Sequence, residues 1–320
     1  MEILKQIIQS SSFIKFEKFI KQNRLSHSYF INSEDEEFNK QFCKAVSLKL
    51  VCENSANNPC FKCDGCLKVL SDFHPDIFVY PKNAGDNFLV EDSASIIKNA
   101  NVKPMIINYK IFIINNMDKS TVQAQNKLLK ILEESPKNVI FLLNSTNMNG
   151  ILQTIISRTQ VFYLEPLKAE AISKILQDKN GKVDFLAVSL GKGWLGKTIA
   201  LTSEKISEDY NFILDMLSNM KSSKMIINYI GKFSQKGIFL NKINILQEIM
   251  EKILYAHFNP SEEPKIQNLV KDYNVDTIYC IFNLITLAKK QFEANVNVNI
   301  ITDFLLFKIL EVKYLCNLKK

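Results

Sequence analysis

Five short apolar runs in the first half of the chain, each followed by a stretch of helical character, restrict the fold more than any other feature. The runs are Ser28 to Ile31, Asp76 to Tyr80, Tyr109 to Ile114, Val139 to Leu143 and Gln160 to Leu164. Each is rich in Ile, Phe, Val and Tyr, with little polar alternation, which is the pattern of strands covered on both faces. Between them lie Phe38 to Leu50, with Phe42 and Val46 one turn apart, Glu91 to Ala100 with its acidic start, and Thr121 to Glu134 with Leu128, Leu129 and Ile131 on one side. Strands separated by helices of this length predict a parallel sheet with right-handed crossovers. The first domain, residues 1–165, is therefore expected to be α/β.

After Pro166 the strand signal stops. Lys168 to Lys179 and Val183 to Leu190 read as short helices, followed by a glycine-punctuated segment, Gly191 to Lys197, and a further helix from Thr198. No buried strand precedes those glycines and they lack the phosphate-loop spacing, so a tight helix–helix connection is expected. From Ser203 onward the spacing is helical throughout, as in Ile243, Leu246, Met250 and Ile253, and later in Ile301, Phe304, Leu305 and Ile309. The reading is a small helical segment, 166–202, and an all-helical C-terminal domain, 203–320.

Four cysteines, Cys52, Cys60, Cys63 and Cys66, stand in a C-x7-C-x2-C-x2-C run within the first domain. Two overlapping Cys-x2-Cys hairpins bring sulfurs of one tight turn to a single ion, with Pro59 opening the turn and Gly65 expected to supply backbone freedom. Cys52 completes a tetrahedral set across the Asn- and Ser-rich connection from Val51 to Pro59. Met1 to Ile14 carries Glu2 and Lys5 in a helical pattern instead of a basic-then-apolar leader. A reducing compartment is expected, which favours Zn²⁺ over disulfides. No histidine or carboxylate competes for an open position, so the expected zinc is structural. Cys43, Cys280 and Cys316 are isolated on apolar helical stretches and are expected to be buried.

In a phosphate-loop fold the first strand feeds a glycine-rich turn whose amides and lysine hold a triphosphate at a helix N-terminus. Here it feeds Asn32 to Lys40, which has no glycine and places Glu34, Asp35, Glu36 and Glu37 at the anion position. Those carboxylates suit the positive helix end themselves and repel phosphate. The third run, Ile111 to Ile114, ends in Asn115-Asn116 where an acidic pair would hold Mg²⁺; neutral amides are poor ligands for a hard cation. ATP hydrolysis by this chain alone is not expected, and no bound ATP.

The net charge of +7 permits contact with nucleic acid without requiring it, and 47% hydrophobic with 23% charged residues is ordinary for a folded domain. No uninterrupted apolar run approaches membrane-spanning length, Asn283 breaking the best candidate. No membrane association is expected.

Several segments together are similar to the delta-prime subunits of the bacterial DNA polymerase III clamp loader, relatives of AAA+ ATPases with a RecA-like core. They are Arg24 to Tyr29, the four-cysteine insertion (52–66), His74-Pro75-Asp76, Ile113 to Asp118, Asn126 to Pro136 and Ile156-Ser157-Arg158-Thr159. A fainter match, Asn297 to Ile300 before Phe304 to Leu306, resembles a last collar helix. The similarity is motif-specific over the first half and architectural beyond Pro166. Ser-Arg-Thr replaces the family's usual Ser-Arg-Cys, keeping the arginine. The phosphate loop and acidic pair of the loader's ATPase subunits are both missing.

The resemblance implies a RecA-like AAA+ domain carrying the zinc module, then a helical lid (166–202) and a helical collar (203–320) used in oligomerisation. It implies a non-catalytic member of a five-subunit ring, with ATPase subunits and a delta subunit as partners, acting in the bacterial cytoplasm. That ring opens a sliding clamp and places it on primed DNA. It further implies that Arg158 is presented to a neighbour's nucleotide site as an arginine finger. Two other readings stand beside it: an ATPase subunit in its own right, and a stand-alone zinc-containing nucleic-acid binder using Phe61 and Lys62. His27 is expected to be structural, while Lys127 and Lys130 are either a DNA-facing pair or a solvated helix face.

Overall fold

A computed structural model describes residues 1–317 apart from 23, 55–58, 84–85, 203, 235–238 and 262. The chain divides into two compact units, Met1–Ala200 and Leu201–Lys320.

All five predicted strands form: β1 (Ser28–Asn32), β2 (Ile77–Tyr80), β3 (Lys110–Ile114), β4 (Val139–Ser145) and β5 (Gln160–Tyr163). They make one parallel sheet in the order β2-β3-β4-β1-β5. The three inner strands, β3, β4 and β1, are buried almost throughout, whereas Val79 on β2 and Tyr163 on β5 are exposed, as edge positions must be. Successive side chains serve opposite faces. Tyr29, Ile31, Ile111, Ile113, Ile140 and Leu142 enter one core with Phe13, Phe16, Phe38 and Phe42. Phe30, Phe112, Ile114, Phe141 and Leu143 enter the other with Phe88, Ile96, Leu128 and Leu132.

Register makes these cores specific. Phe78, Phe112 and Phe141 are paired across β2, β3 and β4, and their rings stack at 5.1 and 5.4 Å. A one-residue slip would turn the whole row to the opposite face. On the first face, Phe16 meets Phe42 and the half-buried Phe162 edge-on, and the fully buried Phe16 and Phe42 rings each contribute about 1.5–3 kcal/mol. Lys49 and Glu17, both nearly buried, pair at 2.8 Å and join helix Glu36–Val51 to helix Ser11–Lys21.

The helices after Pro166, Ala169–Asn180, Phe185–Gly191 and Leu195–Ala200, belong to the first unit and add Ile172, Ile175, Leu176 and Leu195 to its first core. The tight helix–helix connection is present. An added Cβ at Gly191 would lie 1.9 Å from Thr198 Oγ1, so only glycine allows the two helices to close. Gly193 takes a φ of +82° within that turn.

The second unit is helical: Glu204–Asn219, Ser223–Phe233, Phe239–Ala256, Pro264–Leu269, Val275–Glu293 and Val298–Asn317. Ile243, Leu246, Met250 and Ile253 are fully buried, as their spacing predicts. Two expectations are corrected. Phe304 is 41% exposed, because Ile301, Leu305 and Ile309 already fill the inward stripe of their helix. Cys280 is exposed, because the buried face of its helix runs through Thr277, Ile278, Ile281 and Ile285, and Cys280 stands about 100° round the helix from Ile281 and about 200° from Ile278. Cys43 is buried, and the side chain of Cys316 lies outside the described residues.

Candidate functional site

The four cysteines of the C-x7-C-x2-C-x2-C run converge, and their sulfurs all lie within 4.8 Å of one another. A tetrahedral ion with bonds of about 2.3 Å sets its sulfurs about 3.8 Å apart, so the donor set fits Zn²⁺ with small adjustments. Cys52 ends helix Glu36–Val51 and Cys63 caps helix Asp64–Leu70, so the cluster sits where one helix stops and the next starts. Of the connection from Val51 to Pro59, residues 55–58 lie outside the described residues.

Backbone amides point at the sulfurs: Cys60 N donates to Cys52 Sγ at 3.2 Å, Cys63 N to Cys60 Sγ at 3.3 Å and Cys66 N to Cys63 Sγ at 3.5 Å. These donors stabilise thiolate. Amides of Lys62 and Cys63 lower the Cys60 thiol to about 6, whereas burial raises Cys52 and Cys66. Gly65 has a different role from the one expected. It lies within the helix, and a Cβ there would be 2.6 Å from Val51 Cγ1, so its smallness permits close approach of the two helices. The positive φ of this turn, +58°, falls on Phe61. Phe61 packs partly against the first core, which withdraws it from the role of an exposed reading tip.

At the carboxyl end of β1, where a phosphate would rest, a side chain of the protein itself holds the amides. Asp35 caps helix Glu36–Val51 by accepting from Phe38 N at 2.8 Å. Its second oxygen accepts from Gly196 N at 2.6 Å and Lys197 N at 3.2 Å, in the first turn of helix Leu195–Ala200. One carboxylate thus serves two helix starts, each carrying partial positive charge. The neighbouring acids are engaged as well. Glu34 pairs with Lys197 at 2.9 Å, and Glu36 takes Lys40 at 2.6 Å, Lys119 at 3.2 Å and Asn116 Nδ2 at 2.9 Å. Burial opposes the charge on Glu36, but these donors outweigh it and hold the pKa at about 2. The remaining cavity, ≈ 270 Å³, is lined by Glu34, Asp35, Glu36 and Glu37 together with Lys40, Gly196 and Lys197.

Asn115 and Asn116, at the end of β3, are buried in amide contacts. Asn115 Oδ1 accepts from Asn144 Nδ2 at 2.7 Å, and Asn144 Oδ1 accepts from Asn116 N at 3.3 Å. Asn116 adopts the left-handed backbone, φ 53°, which asparagine tolerates. The acidic loop, the asparagines and the glycine turn therefore form one polar network. Pairing of Asp35 with residues 161 positions later in the chain was not legible from the sequence, because nothing local marks it.

Arg158 lies at the opposite end of the sheet, before the first residue of β5. Its Nε and Nη2 donate to Glu133 Oε2 at 3.3 and 3.1 Å, and its Nη1 to the Thr154 carbonyl at 3.0 Å. Ser28 Oγ, at the start of β1, donates to the Arg158 carbonyl at 2.8 Å and fixes the backbone there. Thr159 satisfies its hydroxyl on the carbonyls of Ile155 and Ile156. His27 is held at 2.9 Å from the Leu132 carbonyl, the structural role expected of it, and Lys127 and Lys130 are exposed.

Asp76 was missed as a structural residue. Fully buried, it accepts from Met105 N and Ile106 N at 2.7 Å and from Ile107 N at 3.2 Å, and so holds the segment leading into β3. Burial raises its pKa and the three amides overcome that, leaving it below the ordinary value.

Residues 8–168, half of the chain, match the family described as DNA polymerase III, delta subunit. The chain belongs to that family and is a relative of clamp-loader subunits. It is 27% identical over 278 residues to the DNA polymerase III gamma subunit of Buchnera aphidicola, covering 73% of each chain. To the delta' subunit of Bacillus subtilis it is 28% identical over 170 residues, 50% of this chain and 49% of that protein. To the tau subunit of Bacillus subtilis it is 26% identical over 259 residues, 75% of this chain and 44% of that protein. The chain therefore spans less than half the length of those last two relatives. Among solved structures, a gamma-subunit-related protein of Thermotoga maritima aligns at 20% identity with a TM-score of 0.39, covering 94% of this chain and 99% of that one. Among the described residues no helix is long and apolar enough to cross a membrane.

Proposed function

We propose that this chain is a delta-prime-type, non-catalytic subunit of a bacterial DNA polymerase III clamp loader, built on an AAA+-related α/β domain with a helical lid (166–202) and a helical collar (203–320). In this reading it works in the cytoplasm within a hetero-pentameric ring, beside ATPase subunits and a delta subunit, and helps place a sliding clamp on primed DNA. The observation that carries the reading is the Asp35 carboxylate on the amides of Phe38, Gly196 and Lys197. A bound triphosphate would have to displace it, and Asn115 and Asn116 offer no anionic ligand for Mg²⁺. The similarity to gamma and tau subunits leaves an ATP-using role as the second reading, and the same contact speaks against it.

Cys52, Cys60, Cys63 and Cys66 are proposed to hold one structural Zn²⁺. Bound there, the ion would supply a rigid joint between two helices and no reaction chemistry. Arg158 is proposed to act in trans. Its own Asp35 loop lies beyond the far end of β1, a five-residue strand spanning roughly 16 Å, so the guanidinium has no access to that loop. On an outer edge, it would exchange Glu133 and the Thr154 carbonyl for the γ-phosphoryl group held by a neighbour, where a planar, always-charged group stabilises the transition state.

Calorimetry of the isolated chain with Mg·ATP tests the core of this reading. Absence of micromolar binding is expected. Tight binding abolished by substitutions within residues 32–40 would favour the ATPase reading.

A further inference from the structure

A second cavity, ≈ 490 Å³, adjoins the Asp35 loop, sharing Lys40 with it and reaching Asn115 at the end of β3, and opens between helix Glu36–Val51, the edge strand β2 and the segment that precedes it. Its volume is within the range of small-molecule sites. Its wall includes Lys40, Lys44 and Lys82 against one acid, Asp72, over an apolar floor that includes Ile77 and Ile113. Lys44 pairs with Asp72 at 2.7 Å and Lys40 with Glu36 at 2.6 Å, while Lys82 is exposed.

His74 also lines this cavity and is only 5% exposed. Its Nδ1 accepts from Asp76 N at 3.2 Å, so in the neutral ring the proton is on Nε2. Burial lowers its basicity, and Lys68 adds to that against the nearby carboxylates of Asp76 and Asp64. Among the described residues, Nε2 is buried without a hydrogen-bond partner. A buried donor left unmatched costs about 1–3 kcal/mol, which a ligand acceptor would recover after a small opening of the wall, since Nε2 is sealed from solvent in this structure. With Lys40 and Lys44 already paired, Lys82 is the excess charge of the wall and selects an anion, and a dianion with several acceptor oxygens can engage Nε2–H and Lys82 while competing with Asp72 for Lys44.

We propose that this groove binds a phosphate group, inorganic or as a small monoester, with His74 Nε2–H as the buried donor, Lys82 and Lys44 as the charge partners, and the apolar floor receiving the organic part of an ester. The proposed donor and charge partners, His74, Lys82 and Lys44, lie outside the Asp35 loop, and the test does not depend on clamp loading.

The experiment is a titration of the full-length chain, followed in ¹H–¹⁵N spectra through the His74 imidazole and through the backbone amides of Lys44, Ile77 and Lys82, which remain the readout in the His74 variant. Probes are inorganic phosphate, phenyl phosphate, sodium chloride at matched ionic strength, and an oligodeoxythymidylate lacking terminal phosphate. Saturable shifts with phosphate, and tighter ones with phenyl phosphate, are expected, with chloride inert. Lys82→Glu, a surface change, should weaken binding about tenfold or more. His74→Asn keeps an acceptor for the Asp76 amide and removes the Nε2 donor, so it should fold and lose the binding. If that variant does not fold, Lys82→Glu decides. The proposal is overturned if chloride reproduces the shifts, if Lys82→Glu or a folded His74→Asn titrates like the parent, or if the oligonucleotide saturates the site in preference to phosphate.

Discussion

The Asp35 carboxylate accepts a hydrogen bond from the Gly196 amide at 2.6 Å, and the same side chain caps its own helix at Phe38. In the proposed function, this contact stands where an exchangeable ligand would otherwise sit. Where a nucleotide-dependent protein would join two helix starts through a phosphate, here they are joined through a residue of the chain. The closed position of helix Leu195–Ala200 against the loop is therefore written into the sequence.

Asp35→Ala removes an N-cap and two further acceptor contacts, and should destabilise the first unit by about 2–3 kcal/mol in urea unfolding. Gly196→Ala should be destabilising for a different reason. Its Cβ would lie 2.8 Å from Asp35 Oδ1, which holds the cap on Phe38 N, and 3.0 Å from Glu37 Cβ, which the helix backbone fixes in place. Parent-like midpoints for both variants would show that the contact is incidental.

Elemental analysis of the purified chain should return one zinc per chain. Any one of Cys52→Ser, Cys60→Ser, Cys63→Ser or Cys66→Ser should lose it, because thiolate is a far better donor than hydroxyl. In the native, metal-loaded protein a thiol reagent should modify exposed Cys280 and spare the four-cysteine cluster. Cys43, buried and with its thiol raised to about 12, should react only on unfolding. Rapid modification of the cluster with no metal released would contradict the assignment.

Asp76→Asn should cost about 2–3 kcal/mol at neutral pH, since the new amide nitrogen faces a donor on Met105 or Ile106. The pH dependence has a definite sign. Asp76 lies below its ordinary 3.8 and Glu36 falls from 4.5 to about 2 in the folded state. Their contribution is complete above pH of about 5 and is lost as pH falls toward 2. The stability gap between parent and Asp76→Asn should therefore shrink through that window, as equilibrium unfolding at several pH values will report. A gap that is constant or widens on acidification would refute the assignment.

The strands were legible because burial on both faces leaves an unmistakable apolar signature, and all five appear within a residue or two of their expected ends. The four-cysteine run was legible as a cluster because its spacing is local. What the sequence hid was long-range or depended on packing. Glu34 to Glu37 read as a uniform block of repulsive charge, yet Asp35 alone takes the amides while Glu34 and Glu36 are neutralised by lysines. Gly65 read as a hinge but is a contact point for Val51, and Phe61 carries the unusual backbone. Cys280 and Phe304 lie beside apolar positions without sharing their face, an offset that composition alone does not reveal.

In the proposed function, a subunit with no working nucleotide site completes the site of a neighbour through Arg158. In the isolated chain that side chain forms a surface pair with Glu133, so Arg158→Ala should change stability by less than about 1 kcal/mol. The decisive measurement is the DNA-stimulated ATPase rate of a reconstituted loader containing Arg158→Ala or Arg158→Lys, with ring assembly monitored in parallel. Normal assembly, a large fall in turnover with alanine, and poor rescue by lysine, whose point charge lacks the planar fork, are expected. A ring that assembles normally and hydrolyses ATP at the parent rate with alanine at this position would contradict it.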